Sequence, residues 1–255
     1  MKAFILFLCL CAPAWAQLPT DPAQVNQYLQ DVSVTVKSEG GTGSGTVFKR
    51  GDDVWVLTAG HVVDGLRRTR KVIRDGTEKT VVEFGRPTII KHYIEKGETV
   101  GKVELIGTIV KFSDSEHGED LALIKVAKGS VLEKSAVLYE GELVALGTDI
   151  LHVGSFHGEF GANSFSKGYL SQYGRSINDK SFFQTSASAV PGSSGGGLYL
   201  ANGSQYGVLV RGSDSSINFG VGYQRVRDWF KRAGVEYVIN PNVEVKPIDS
   251  IVEVE

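Results

Sequence analysis

The chain has 255 residues, 42% of them hydrophobic, with 27 Lys and Arg against 29 Asp and Glu. So even a balance sets up no field for a polyanion, and nucleic acid is not called for as a partner. Both cysteines, Cys9 and Cys11, lie near the N-terminus, which leaves the rest of the chain without disulfides, a thiol nucleophile or thiolate metal ligands.

Met1-Lys2, an apolar run over 3–11 and Ala14-Trp15-Ala16 give a basic start, a hydrophobic centre and a small-x-small cleavage site. Residues 1–16 therefore read as a secretory signal peptide. The run is shorter than the roughly 20 apolar residues of a membrane anchor, so no stable insertion is expected after cleavage. An exported, disulfide-free chain points to a bacterial-type periplasm or medium. The mature part, roughly 240 residues, suits one large all-β unit or two domains of about 100 residues each.

Asp21-Pro22 supplies an N-cap and a first-turn proline for a short helix through about Leu29. Short β-branched runs then follow at 32–36, 54–57, 81–84 and 103–106, separated by Gly, Asp and Ser turns, a pattern of sandwiches and barrels. The basic run Arg67-Arg68-Thr69-Arg70-Lys71 reads as a solvated loop. Further strands are expected at 121–126, 143–145, 150–153, 182–185, 198–200 and 205–210, with Asn202-Gly203 signalling a type I′ hairpin. A helix over Tyr223–Arg232 is stopped by Gly234. The least strand-like central stretch, 128–140, is placed as the join between two β-barrels, 17–127 and 141–239. Residues 240–255, with Pro241 and Pro247, form a tail that reads as an edge strand or as disordered.

Three segments carry chemistry. Thr58-Ala59-Gly60-His61 follows an apolar strand, Asp120 opens the buried strand Leu121–Val126, and Pro191-Gly192-Ser193-Ser194-Gly195-Gly196-Gly197 sets a serine among glycines. A hydroxyl near neutral pH needs a base to take its proton and a third group to hold that base, and His61 and Asp120 are the residue types for those roles. The N–H groups of Gly192 and Ser194 can turn toward one point as an oxyanion hole. Gly-x-Ser-x-Gly also fits the nucleophile elbow of α/β-hydrolases, but there the histidine follows the serine. All five histidines, 61, 92, 117, 152 and 157, precede Ser194, so chain order excludes that fold. The other four read as structural or solvent-facing, and Glu119 and Asp114 as solvated loop carboxylates.

These segments resemble the trypsin/chymotrypsin-like serine proteases, and within them the bacterial Deg/HtrA branch. The similarity opens at Gly43-Ser44-Gly45-Thr46-Val47-Phe48 and passes through the His61 and Asp120 segments. It continues over Val153-Gly154-Ser155-Phe156-His157-Gly158, Lys167-Gly168-Tyr169-Leu170-Ser171 and Phe183-Gln184-Thr185 to the Ser194 segment. The resemblance implies an all-β fold, two six-stranded antiparallel barrels with the site in the cleft between them, and no cofactor or metal. His61 is then base and acid, Asp120 the orienting carboxylate and Ser194 the nucleophile of a peptide-bond hydrolase acting on polypeptides.

The residue before the nucleophile, an Asp in digestive relatives, is Ser193, and no Ile-Val-Gly-Gly-like start follows the leader. Activation by release of a buried N-terminus is not expected; control by loop order or substrate binding is. The PDZ domains usual in Deg/HtrA proteins are not expected here. By resemblance Ser188 floors the pocket for the residue before the scissile bond, with Gly212 and Val221 on its walls, which predicts small or aliphatic side chains there. The rival readings are a non-catalytic binding module on a protease fold and an esterase.

Overall fold

The computed structural model describes residues 17–74, 76–127, 131–212 and 216–246. The expected leader, both cysteines, residues 128–130 of the join and residues 247–255 of the tail lie outside them.

Alternating apolar residues close two antiparallel rings. The first contains β1 (Ser33–Ser38), β2 (Gly41–Arg50), β3 (Asp53–Thr58), β6 (Thr88–Glu95), β7 (Glu98–Ser113) and β8 (Leu121–Val126), paired in the order 1-2-3-8-7-6. The second contains β9 (Asp149–Phe156), β10 (Gly161–Ile177), β11 (Lys180–Thr185), β12 (Gly197–Tyr199), β13 (Gln205–Gly212) and β14 (Asn218–Gly222), in the order 10-11-14-13-12-9. Each ring carries its own fully buried side chains, such as Val36, Val56 and Leu123 in one and Val153, Leu198 and Val208 in the other.

β4 (Arg67–Arg74) and β5 (Thr77–Phe84) stand apart as a two-stranded sheet. The basic run expected to be a loop is therefore a strand. Arg70 and Lys71 bond Glu83 and Glu78 on β5, and the cross-strand pairs offset the crowding of like charges. Residues 143–145, expected as a strand, are irregular. The Tyr173 hydroxyl donates to the Val144 carbonyl at 2.8 Å and the Tyr206 hydroxyl accepts from its amide at 3.5 Å, so side chains replace a strand partner. Asn202-Gly203 does turn the β12–β13 hairpin, but with five connecting residues, 200–204. Gly203 N donates to Leu200 O at 2.9 Å and only Gly203 of the pair has positive φ, +88°, whereas a type I′ turn needs two such residues.

Both expected helices form. In α1 (Pro22–Asp31) Asp21 Oδ1 accepts from Ala23 N at 2.9 Å, and at the far end buried Lys91 donates to the carbonyls of Gln30 and Asp31 at 2.7 and 2.8 Å. After the one-turn α2 (Gly60–Val63), α3 (Tyr223–Arg232) buries Val226, Trp229 and Phe230. It ends in a Schellman turn, with Gly234 at φ +70° and Val235 N bonded to Phe230 O. Among the described residues no helix is long and apolar enough to cross a membrane.

Between the rings, residues 131–148 are irregular but fastened to both. Ala136 N donates to Val47 O of β2, and Gln205 N of β13 to Val137 O. The rings meet through hydroxyls: Thr35 and Ser155 share a 2.5 Å hydrogen bond, and Thr46 and Tyr199 one of 3.2 Å. A polar seam of this kind fixes one register, since sliding would leave buried hydroxyls unpaired.

Candidate active site

His61 is the second residue of α2, immediately past the end of β3, so a buried strand aims its ring. Gly60 lets the Asp120 loop approach: a Cβ there would press on Ser113 O and lie 3.3 Å from Asp120 Oδ1. Asp120 Oδ1 accepts from the His61 amide at 2.9 Å, and the two carboxylate oxygens lie 3.1 and 3.0 Å from His61 Nδ1. The carboxylate side chain is 3% exposed and the imidazole 38%. A nearly dry carboxylate on Nδ1 selects the tautomer with its proton there, leaving Nε2 bare toward the cleft. Asp120 has a φ of +57°, a left-handed turn that aspartate tolerates better than most residues.

The Ser194 turn is set by contact. Gly195 has a φ of +85°, and a Cβ there would collide with Thr58 Oγ1 and Ser44 O and lie 2.7 Å from Ala59 N. The turn thus lies directly against the strand end that carries His61. Across the cleft, Gly43 fits between the Val62 side chain and Ser194 O. Among the described residues Ser194 Oγ makes no hydrogen bond to His61. In unliganded sites such bonds are often long and tighten with substrate.

Gly192, at φ +94°, packs onto the backbone of Ser155 and Gly158. His157 N donates to Pro191 O at 2.7 Å, and in a trans peptide this turns the Gly192 N–H to the opposite side. Among the described residues no protein acceptor takes the N–H of Gly192 or Ser194.

The pocket residues are more scattered. Ser188 is exposed, its carbonyl bonded by Ser166 Oγ at 2.8 Å. Asn218 pairs with both Gly212 and Thr185 and donates to Ala187 O at 2.9 Å, so segments 186–188 and 212 share one barrel edge. Val221 is fully buried farther along β14, opposite Val208, while its neighbours Gly220 and Gly222 face the Phe183 ring.

Of the other histidines, His117 is exposed and His92 buried. His152 is fully buried, its Nδ1–H donating to the Gly197 carbonyl 3.0 Å away, and burial lowers its pKa to about 4. Glu119 and Asp114 are half-buried and engaged rather than freely solvated. Arg225 and Arg232 bind Glu119, and Asp114 accepts from the amides of Glu116 and His117. Ser44 went unnoticed in sequence as one hydroxyl in a glycine-rich strand. Its N–H donates to Ser194 O, and its Oγ donates to Gly192 O, both at 2.7 Å, while accepting from Ser155 N at 2.8 Å. Among the described residues no cluster of His, Asp and Glu suits a metal ion.

A search of curated proteins finds no match for this chain. A family model described as a trypsin-like peptidase domain matches residues 43–208, a span that contains His61, Asp120 and Ser194. Among solved structures, Deg5 superposes with a TM-score of 0.59 at 25% identity, covering 81% of this chain and 90% of that one. A serine endoprotease from Yersinia pestis gives 0.59 at 20% identity, covering 85% and 68%. The HtrA-type protease AlgW with tripeptide gives 0.60 at 19%, covering 85% of this chain and 64% of that chain, and these last two share the fold. This chain belongs to the trypsin-like peptidase family, as a serine endopeptidase.

Proposed function

We propose that the chain is an exported endopeptidase that hydrolyses polypeptides through an acyl-enzyme on Ser194. The observation that carries the assignment of roles is the double hold of Asp120 on His61, at the backbone amide and at Nδ1. His61 Nε2 takes the Ser194 proton as Oγ attacks the scissile carbonyl, and Asp120 accepts from the imidazolium that forms. The N–H groups of Gly192 and Ser194 receive the developing oxyanion. The proton then passes from His61 to the leaving amine, and water repeats the sequence to release the acid.

The signal peptide over 1–16 supports export to the periplasm or medium. Ser193 supports an enzyme that needs no freed N-terminus: it is buried, and its Oγ accepts from Val190 N at 3.1 Å within its own turn, so that position holds no carboxylate awaiting a cation. Ser188, Gly212 and Val221 are proposed to shape the pocket before the scissile bond, and the lack of a carboxylate among these three favours small or aliphatic side chains. A peptide-library digest tests this, with Ser194→Ala as the blank. Cleavage after Ala or Val is expected; cleavage after Lys or Arg alone would overturn the preference, and equal cleavage by the blank the mechanism.

A further inference from the structure

The loop that ends in Asp120 joins β7 to β8 and so belongs to the first ring, yet its anchors come from the second. Arg225 of α3 donates through Nε to Glu119 Oε2 at 2.9 Å and pairs with the same oxygen through Nη2. Arg232, two turns on, donates to Glu119 Oε1 at 2.8 Å. Lys180 of β11 donates to the Glu116 carbonyl at 3.0 Å and to that of Gly118, and Arg211 of β13 to the Ser115 carbonyl at 2.6 Å. Four cations of the second ring and its helix thus hold one seven-residue loop of the first, 114–120.

Glu119 is the one side chain of that loop gripped from two sides. It is 19% exposed, and Arg225 is 24% exposed with its guanidinium 4.9 Å above the Phe182 ring. Partial desolvation and the shared oxygen make these bonds stronger and more directional than a surface pair. Its own amide donates to Ser113 Oγ at 2.6 Å. The next residue is Asp120, confined to a left-handed φ, so there is little slack between the Glu119 anchor and the carboxylate on His61.

We infer that Glu119 is a positioning residue: by docking on Arg225 and Arg232 it sets the orientation of the Asp120 carboxylate toward His61 Nδ1, so that the two rings must be seated together for the base to be aligned. The inference rests on the triad proposed above. Mere cement between the rings would change stability and leave turnover intact in the folded enzyme. A positioning role lowers kcat and leaves KM alone, because neither Glu119 nor its two arginines belong to the proposed pocket.

The test uses the mature protein, active-site titrated well below its melting temperature. Glu119→Ala and Arg225→Ala are each expected to lower kcat by on the order of 10²-fold at unchanged KM, the scale of a small misplacement of a catalytic group. The double variant should be little worse than either, as for members of one network. Glu119→Gln, which keeps shape and one acceptor, serves where Glu119→Ala does not fold, with a smaller loss of kcat expected. In a Ser194→Ala background, the low-field proton resonance of His61 Nδ1–H should move or broaden on adding the Glu119 change. Wild-type kcat with an unmoved resonance, or a change confined to KM, overturns the inference. If Ser194→Ala still turns over substrate, the proposed mechanism fails instead, while the resonance still decides whether Glu119 orients Asp120.

Discussion

The two halves of the site are held by different physics. His61 and Asp120 are joined by directional bonds to a buried carboxylate, and the loop behind them is gripped by guanidinium and ammonium groups. The Ser194 turn is held by close backbone contact, at positions where a single Cβ does not fit, and by the hydroxyl of Ser44. The first half should therefore answer to changes of charge at constant shape, and the second to changes of volume at constant charge. An imidazole must keep one tautomer while it gains and loses a proton, which favours electrostatic control. Two amides awaiting an oxyanion need only a fixed position, which backbone packing gives at no charge cost.

The largest expected effect removes the nucleophile itself: Ser194→Ala should lower kcat by about 10⁶, the scale of losing a triad serine. Asp120→Asn changes charge and tautomer but hardly shape, and should cost on the order of 10⁴ in kcat. Both are read in steady-state assays on protein of unchanged near-UV circular dichroism. Gly195→Ala adds one methyl and no charge, yet meets Thr58, Ser44 and Ala59 with φ at +85°. It should destabilise the fold by about 3 kcal/mol or more in urea unfolding. A neutral outcome there would break the contrast between the halves.

The smallest effect is read by pH. His152 lies under the nucleophile turn, where a Cβ on Gly196 would come within 2.7 Å of its Cε1, and burial holds its pKa at about 4. In the unfolded chain a histidine protonates near 6.5. Between those values the unfolded state binds a proton that the folded state excludes, so stability falls as pH drops from about 6.5 toward 4 and this contribution levels off below. The loss amounts to up to roughly 3 kcal/mol. His152→Phe should flatten that slope in urea titrations at pH 4 to 7; an unchanged slope would contradict the buried neutral ring.

Much of this was legible in sequence because it is local. β8 and α3 form over the expected residues, since an alternating apolar run and a helix ended by Gly234 carry their own signals. His61 and Asp120 stood in contexts specific enough to pair them across 58 intervening residues. What could not be read depends on distant partners. The 17-residue β10 is mostly polar and bulged, so its period is broken before it can register as a strand. Residues 143–145 look like a strand until two tyrosine hydroxyls take their backbone groups. Ser44 and Glu119 carry no local mark, because what makes them matter is a carbonyl 148 residues away in one case and two arginines on the last helix in the other.

The central claim is that these halves assemble one activated serine, and a fluorophosphonate probe tests it most directly. Labelling of the mature protein followed by peptide mapping should place a single adduct on Ser194, and His61→Ala should abolish it while the fold is retained. An adduct elsewhere, equal labelling of the His61→Ala protein, or no labelling of well-folded wild type would contradict the account, the last in favour of a binding module on a protease fold.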